Sequence, residues 1–134
     1  MPRNPRKDTE EIPLVEEELT YRVRGCVFEV YRRLGSGFLE SVYEKALLHE
    51  LEMQGISAKG QVPFSVAYKD VHVGHFVADI VVEEKLILAH KAQANLNAQM
   101  CKAQLLNYIK ASGVRLGLLI NFTHPKATVE RFVV

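Results

Sequence analysis

Five side chains have types and spacings that could do chemistry together: Glu40, Asp79, Lys91, Gln104 and Tyr108. Asp79 stands in the apolar run FVADIVV, where a lone carboxylate is costly unless it is paired, hydrogen-bonded or bound to a metal. Lys91 follows the apolar stretch LILAH, and Gln104 and Tyr108 are spaced i, i+4, which puts them on one face of a helix. Singly, each has a plainer reading. Asp79 could be a strand-end residue facing water, Lys91 a snorkelling lysine and the Gln/Tyr pair ordinary packing. Glu40 opens a helix, where the dipole favours an acid without any function. Jointly they suit metal-assisted phosphodiester hydrolysis: carboxylates hold Mg²⁺, a lysine orients water or stabilises phosphorane charge, and polar helix residues position the phosphate.

The elements that must position them follow from hydrophobic periodicity. Residues 1–13 carry three prolines and mostly polar or charged side chains, and are expected to form a disordered arm before a single domain over 14–134. Val15, Leu19, Val23, Cys26 or Val27, Val30 and Leu34 recur at helical spacing until Gly35-Ser36-Gly37 breaks the helix. A second helix runs from about Leu39, with Val42, Ala46 and Leu47 inward, and ends at Gly55. The period then switches to two: residues 61–68 and 71–82 form a hairpin around Lys69-Asp70, and residues 86–91 a short central strand. Asn97 is placed to cap a helix that buries Met100, Ala103, Leu106 and Ile109 and ends at Gly113. Residues 115–121 form a buried strand and 128–133 a last edge strand. The order α, α, β, β, β, α, β, β predicts an α/β (α+β) domain, a mixed sheet flanked by helices.

The chain of 134 residues has a formal net charge of +1, but this neutrality is uneven. Residues 1–84 carry 10 basic and 15 acidic side chains, a net of −5, and residues 85–134 carry 7 against 1, a net of +6. A fold can gather that positive half on one face, which leaves a polyanion partner open. If the two halves interleave on packing, the asymmetry carries no function. No apolar run approaches the roughly 20 residues of a membrane span, and Cys26 and Cys101 form neither a zinc motif nor a disulfide framework. A reducing cytoplasm is the expected compartment.

Gly37-Phe38-Leu39-Glu40-Ser41-Val42-Tyr43 matches the GxxExxY signature of a small bacterial protein family. The resemblance continues in order through Gln61-Val62-Pro63, Tyr68-Lys69-Asp70, Val77-Ala78-Asp79-Ile80-Val81-Val82, Gln104-Leu105-Leu106-Asn107-Tyr108 and Gly117-Leu118-Leu119-Ile120-Asn121-Phe122. That family is placed in the PD-(D/E)XK nuclease superfamily, so the resemblance implies a restriction-endonuclease-like αβββαβ core. It implies that Glu40 is the first-helix acid, Asp79 the metal-binding aspartate, Lys91 the lysine of the (D/E)XK element, and Gln104 and Tyr108 the QxxxY helix motif. Mg²⁺, held by Asp79 and Glu40, is the cofactor this implies.

One position departs. Where the family reads Glu-Leu-Lys, this chain reads Ala89-His90-Lys91. A carboxylate at 89 would share the face of Lys91 and supply a second metal ligand; alternation turns His90 the other way, toward packing, unless a bulge brings it round. Glu40, Glu83 or Glu84 could compensate. The expected function is therefore a nucleic-acid-binding domain, for DNA before RNA, impaired in cleavage at Ala89. Lys91, Lys102, Gln104, Tyr108 and Lys110 are its expected phosphate-binding residues. The alternatives are an active nuclease with a rebuilt metal site and a self-assembling structural protein. Self-association into a homo-oligomer is expected through the last strand and the apolar end Phe132-Val133-Val134.

Overall fold

A computed structural model describes residues 16–92, 97–123 and 125–134; the expected arm at 1–13 lies outside them. Two helices, α1 (Glu17–Leu34) and α2 (Glu40–Met53), precede β1 (Ala58–Tyr68), β2 (Val71–Val82) and β3 (Leu86–Lys91); then come α3 (Ala98–Ser112), β4 (Leu116–Asn121) and β5 (Thr128–Val133). The sheet order is β1-β2-β3-β4-β5. All neighbours are antiparallel except β3 and β4, which run parallel because α3 carries the chain back between them. The mixed sheet flanked by helices is the expected architecture, and the first strand is three residues longer than its alternation predicted.

Turn chemistry sets the boundaries. Lys69 and Asp70 both have positive φ, 49° and 65°, the backbone of a tight two-residue hairpin turn. The Asn97 side chain accepts from the Met100 amide at 3.1 Å, and Gly113 closes α3 with φ 81°. Gly55, φ 75°, follows the end of α2. These are the caps that the sequence placed.

Two apolar clusters fill the two sides of the sheet. On one side α1 and α2 pack Val23, Val27, Val30, Tyr43, Leu47 and Leu51 onto Ile80, Val82, Leu86, Leu88, Leu118 and Ile120. On the other, Leu105 and Ile109 of α3 pack onto Ala78, Val81, Ile87 and Leu119. The buried face of α3 differs from the expected one. Met100 and Ala103 are exposed, and Cys101, Leu105, Tyr108 and Ile109 face the sheet. The helix is rotated so that Leu105 and Ile109 sit over Gly117; a Cβ there would lie 2.6 Å from Ile109 Cδ1 and 3.0 Å from Leu105 Cδ1. The i, i+4 pair over a residue without a side chain outweighs the i, i+3 stripe counted from the sequence. Gly117→Val is expected to destabilise the fold by roughly 1–3 kcal/mol through overpacking. Denaturant unfolding checks it, and adding Ile109→Ala should recover part of the loss.

In α2 the inward residues are Tyr43, Leu47 and Leu51, and Val42 points outward. Tyr43 is fully buried, stacks on Phe122 with centroids 4.5 Å apart, donates its hydroxyl to the Gly35 carbonyl at 2.5 Å and accepts from the Phe38 amide at 3.3 Å. The tyrosine of the GxxExxY stretch thus ties the 35–38 connection to the core. It is a structural residue.

Candidate active site

β3 carries the site, and strand alternation distributes its last three residues. Ala89 packs in the α3-side cluster with Val62, Phe64, Phe76 and Tyr108. His90 turns to the α2 side, where it is 3% exposed. Lys91, two residues from Ala89, shares the Ala89 face. His90 thus faces the side that strand alternation predicts, but that side holds an acid, Glu44, and not only packing.

His90 Nε2 lies 2.8 Å from Glu44 Oε1 and 3.9 Å from Asp79 Oδ2, and its backbone amide donates to the same Asp79 oxygen at 2.9 Å. Glu44 also accepts from the Gln61 side-chain amide, at 2.9 Å to Oε1 and 3.1 Å to Oε2. Asp79, half-buried as feared for an isolated charge, is thus satisfied by hydrogen bonding.

A local inversion of the pleat puts Asp79 there. Phe76 and Ala78 of β2 belong to the α3 side, yet Ile80 and Val82 belong to the α2 side. The opposing strand inverts at the same level: Val62 and Phe64 lie on the α3 side, and Ala58 on the other. The break falls at Gln61, whose φ is 54°, and Asp79; their neighbours Gly60↔Ile80 and Val62↔Ala78 remain in register. The pairing of β2 with β3 also stops at Ile80↔Leu88. The Asp79 carboxylate takes the His90 amide that a strand carbonyl would otherwise have taken. A non-glycine residue at positive φ stores strain, and here it sits beside the clustered acids.

The other expected residues are divided. Glu40, at the start of α2, accepts from the Ala92 amide at 3.2 Å, so it stands beside the end of β3 without joining the clustered donors of Glu44, Asp79 and His90. Glu44 was missed; its signal was the i, i+4 spacing from Glu40, which turns both acids to one face of α2. Glu83 and Glu84 cannot compensate for Ala89. They lie in the turn before β3, about 16 Å of strand from Lys91 at ~3.3 Å per residue, and Glu83 binds the Ser57 amide at 2.6 Å.

Tyr108 stacks on Phe76 with centroids 4.1 Å apart and planes 3° from parallel, and Phe76 stacks on Phe64. That ladder fixes the ring on the face of Ala89 and Lys91. Gln104 and Lys110 are exposed, whereas Lys102 pairs with Glu130 at 3.2 Å, so its charge is partly offset. Among the described residues Lys91 has no ion-pair partner. Cys26 is no nucleophile, since burial, with Glu50 nearby, pushes its thiol up to about 11.

No curated protein matches the sequence. The fold is similar to the crystal structure of SSO0001, with a TM-score of 0.56 and 15% identity over 69% of this chain and 49% of that one. The chain therefore spans about half the length of that protein. Among the described residues no helix is long and apolar enough to cross a membrane. A family model of the PD-(D/E)XK nuclease superfamily matches residues 17–132, nearly the whole span that builds the two clusters and β3 between them. The chain belongs to the PD-(D/E)XK nuclease superfamily.

Proposed function

We propose that this domain binds nucleic acid, DNA before RNA, through the α3 face of β3, and that its cleavage is impaired because Ala89 stands where the (D/E)XK element needs a carboxylate. The observation that carries the reading is the content of that face. Ala89 puts a methyl group beside Lys91, next to a tyrosine held by aromatic stacking and an exposed glutamine one helical turn away. This set can bind a phosphate: an ammonium as point charge, a hydroxyl and an amide as hydrogen-bond donors. It holds no carboxylate for Mg²⁺, which needs a nearly complete octahedron of oxygens, because Ala89 supplies none and Asp79 turns to the α2 side with His90 and Glu44. Lys110 is exposed on α3 but, two residues on from Tyr108, turns away from this set, and Lys102, bridged to Glu130, contributes less. The resemblance to GxxExxY proteins supports the same reading, as do two free cysteines for a cytoplasmic setting. Self-association is the second reading, favoured by the edge position of β5 and the exposed Val133 and Val134.

The test is fluorescence anisotropy with labelled single- and double-stranded DNA in chelator across a salt series. Binding is expected to weaken steeply with salt, by counterion release. Lys91→Ala should weaken it about 3- to 10-fold and lower the salt slope by about one, with an unchanged circular dichroism spectrum. Binding that is absent, or indifferent to both salt and Lys91, would remove the proposal.

A further inference from the structure

The phosphate reading leaves the α2 side of β3 unexplained. There Glu44, Asp79 and His90 bring two carboxylate oxygens and an imidazole nitrogen within 4.8 Å of one another. Among the described residues no lysine or arginine pairs with Glu44 or Asp79.

We propose that Glu44 Oε, Asp79 Oδ2 and His90 Nε2 are ligands of a divalent transition ion of the Mn²⁺, Co²⁺ or Zn²⁺ class, in preference to Mg²⁺. Ligand chemistry sets the preference. Imidazole suits borderline ions, whereas Mg²⁺ is served by oxygen and dehydrates reluctantly. The separations of 2.8 and 3.9 Å from His90 Nε2 are each less than twice the usual ion–ligand distance of about 2.0–2.2 Å, so both acids can reach an ion that His90 binds. The carboxylates are already aimed. Gln61 donates to both Glu44 oxygens and the His90 amide to Asp79, the outer-shell support that orients metal ligands.

The ring itself points the same way. His90 is 3% exposed, and its Nδ1 is buried without a partner among the described residues. An apolar side chain would fill that space without an orphaned polar atom. The fold carries this cost and directs the other nitrogen at two acids. Gly60 makes room for Leu48, one turn along α2 from Glu44, since a Cβ there would lie 2.9 Å from Leu48 Cδ1. Three protein ligands leave positions for water, the pattern of a working rather than a closed structural site.

The inference does not depend on nucleic-acid binding, and the test uses none. The full chain, stripped by chelator, is titrated with MnCl₂, CoCl₂ and MgCl₂ by calorimetry, and pulsed EPR is recorded on the Mn²⁺-loaded protein. The expected results are one site, Mn²⁺ and Co²⁺ at least tenfold tighter than Mg²⁺, and an imidazole ¹⁴N coupling on the bound Mn²⁺. Glu44→Gln keeps a hydrogen-bonding oxygen for His90 and should weaken Mn²⁺ at least tenfold; His49→Gln, an exposed histidine of α2, should change nothing. No binding at millimolar ion, no nitrogen coupling, or equal affinity for Mg²⁺ overturns the proposal. The EPR arm uses the unmodified chain, so a variant that fails to fold does not blunt the test. DNA binding in chelator stands or falls separately.

Discussion

Ala89→Glu is expected to create Mg²⁺-dependent cleavage of DNA where the unmodified chain shows little or none. Position 89 lies on the same face as Lys91 and in the same cluster as Tyr108, one residue beyond the last β2–β3 pair, Ile80↔Leu88. A glutamate there would put a carboxylate beside Lys91 on the α3 side. An ion shared with Asp79 requires the Asp79 carboxylate to leave the His90 amide and turn through the opened end of those strands. The glutamate would add the second strand oxygen that a hard divalent ion requires. Charge stabilisation at a transferring phosphoryl group is worth several kcal/mol, so the rate should rise on the order of 10²-fold at ~1.4 kcal/mol per tenfold. Plasmid nicking with and without chelator checks it. The gain should vanish in Ala89→Glu with Asp79→Ala and in Ala89→Glu with Lys91→Ala. If the folded single variant remains inert under Mg²⁺ and Mn²⁺, more than one position separates this chain from a nuclease, and the reading of Ala89 fails.

The second large effect is on stability. Tyr43→Ala should cost about 3–5 kcal/mol, the range for emptying a buried aromatic site, because the ring is fully buried and stacked on Phe122. Tyr43→Phe keeps the stack and removes the hydroxyl, leaving the Gly35 carbonyl and Phe38 amide without that partner. Its cost should be about 1–3 kcal/mol. Denaturant midpoints measure both. The difference separates the packing role of the ring from the tethering role of the hydroxyl. If Tyr43→Phe lowered DNA binding without lowering stability, the tyrosine would belong to the site and not to the scaffold.

The elements were legible because their local signals agree with the tertiary result. The change of period from 3.6 to 2 after Gly55, the Lys69-Asp70 turn and the Asn97 and Gly113 caps each have a local physical cause that packing did not override. The face of α3 was not legible. Met100 and Ala103 fit an apolar stripe as well as Cys101 and Leu105 do, and the choice is made by Gly117 on another element. Glu44 escaped for a related reason. It becomes chemically interesting only beside His90, 46 residues away in sequence, and neither residue announces the other. The pleat inversion at Gln61 and Asp79 was invisible as well, because alternating sequences give no sign of where the pleat reverses. For Asp79 the sequence raised the correct question, which was what satisfies a carboxylate in FVADIVV. The answer was a backbone amide on the next strand.

β3 is a single six-residue strand whose two faces carry different side chains into different surroundings. Ala89 and Lys91 point one way and His90 the other. The assignment depends on parity alone, since moving the strand by one residue exchanges its faces. Inserting or deleting a single residue between Glu83 and Lys85 would therefore do more than alter a turn. It would carry a histidine to the α3 side and bury a lysine against two helices. The two surfaces form one inherited unit, and substitution can tune either of them while a change of length alters both.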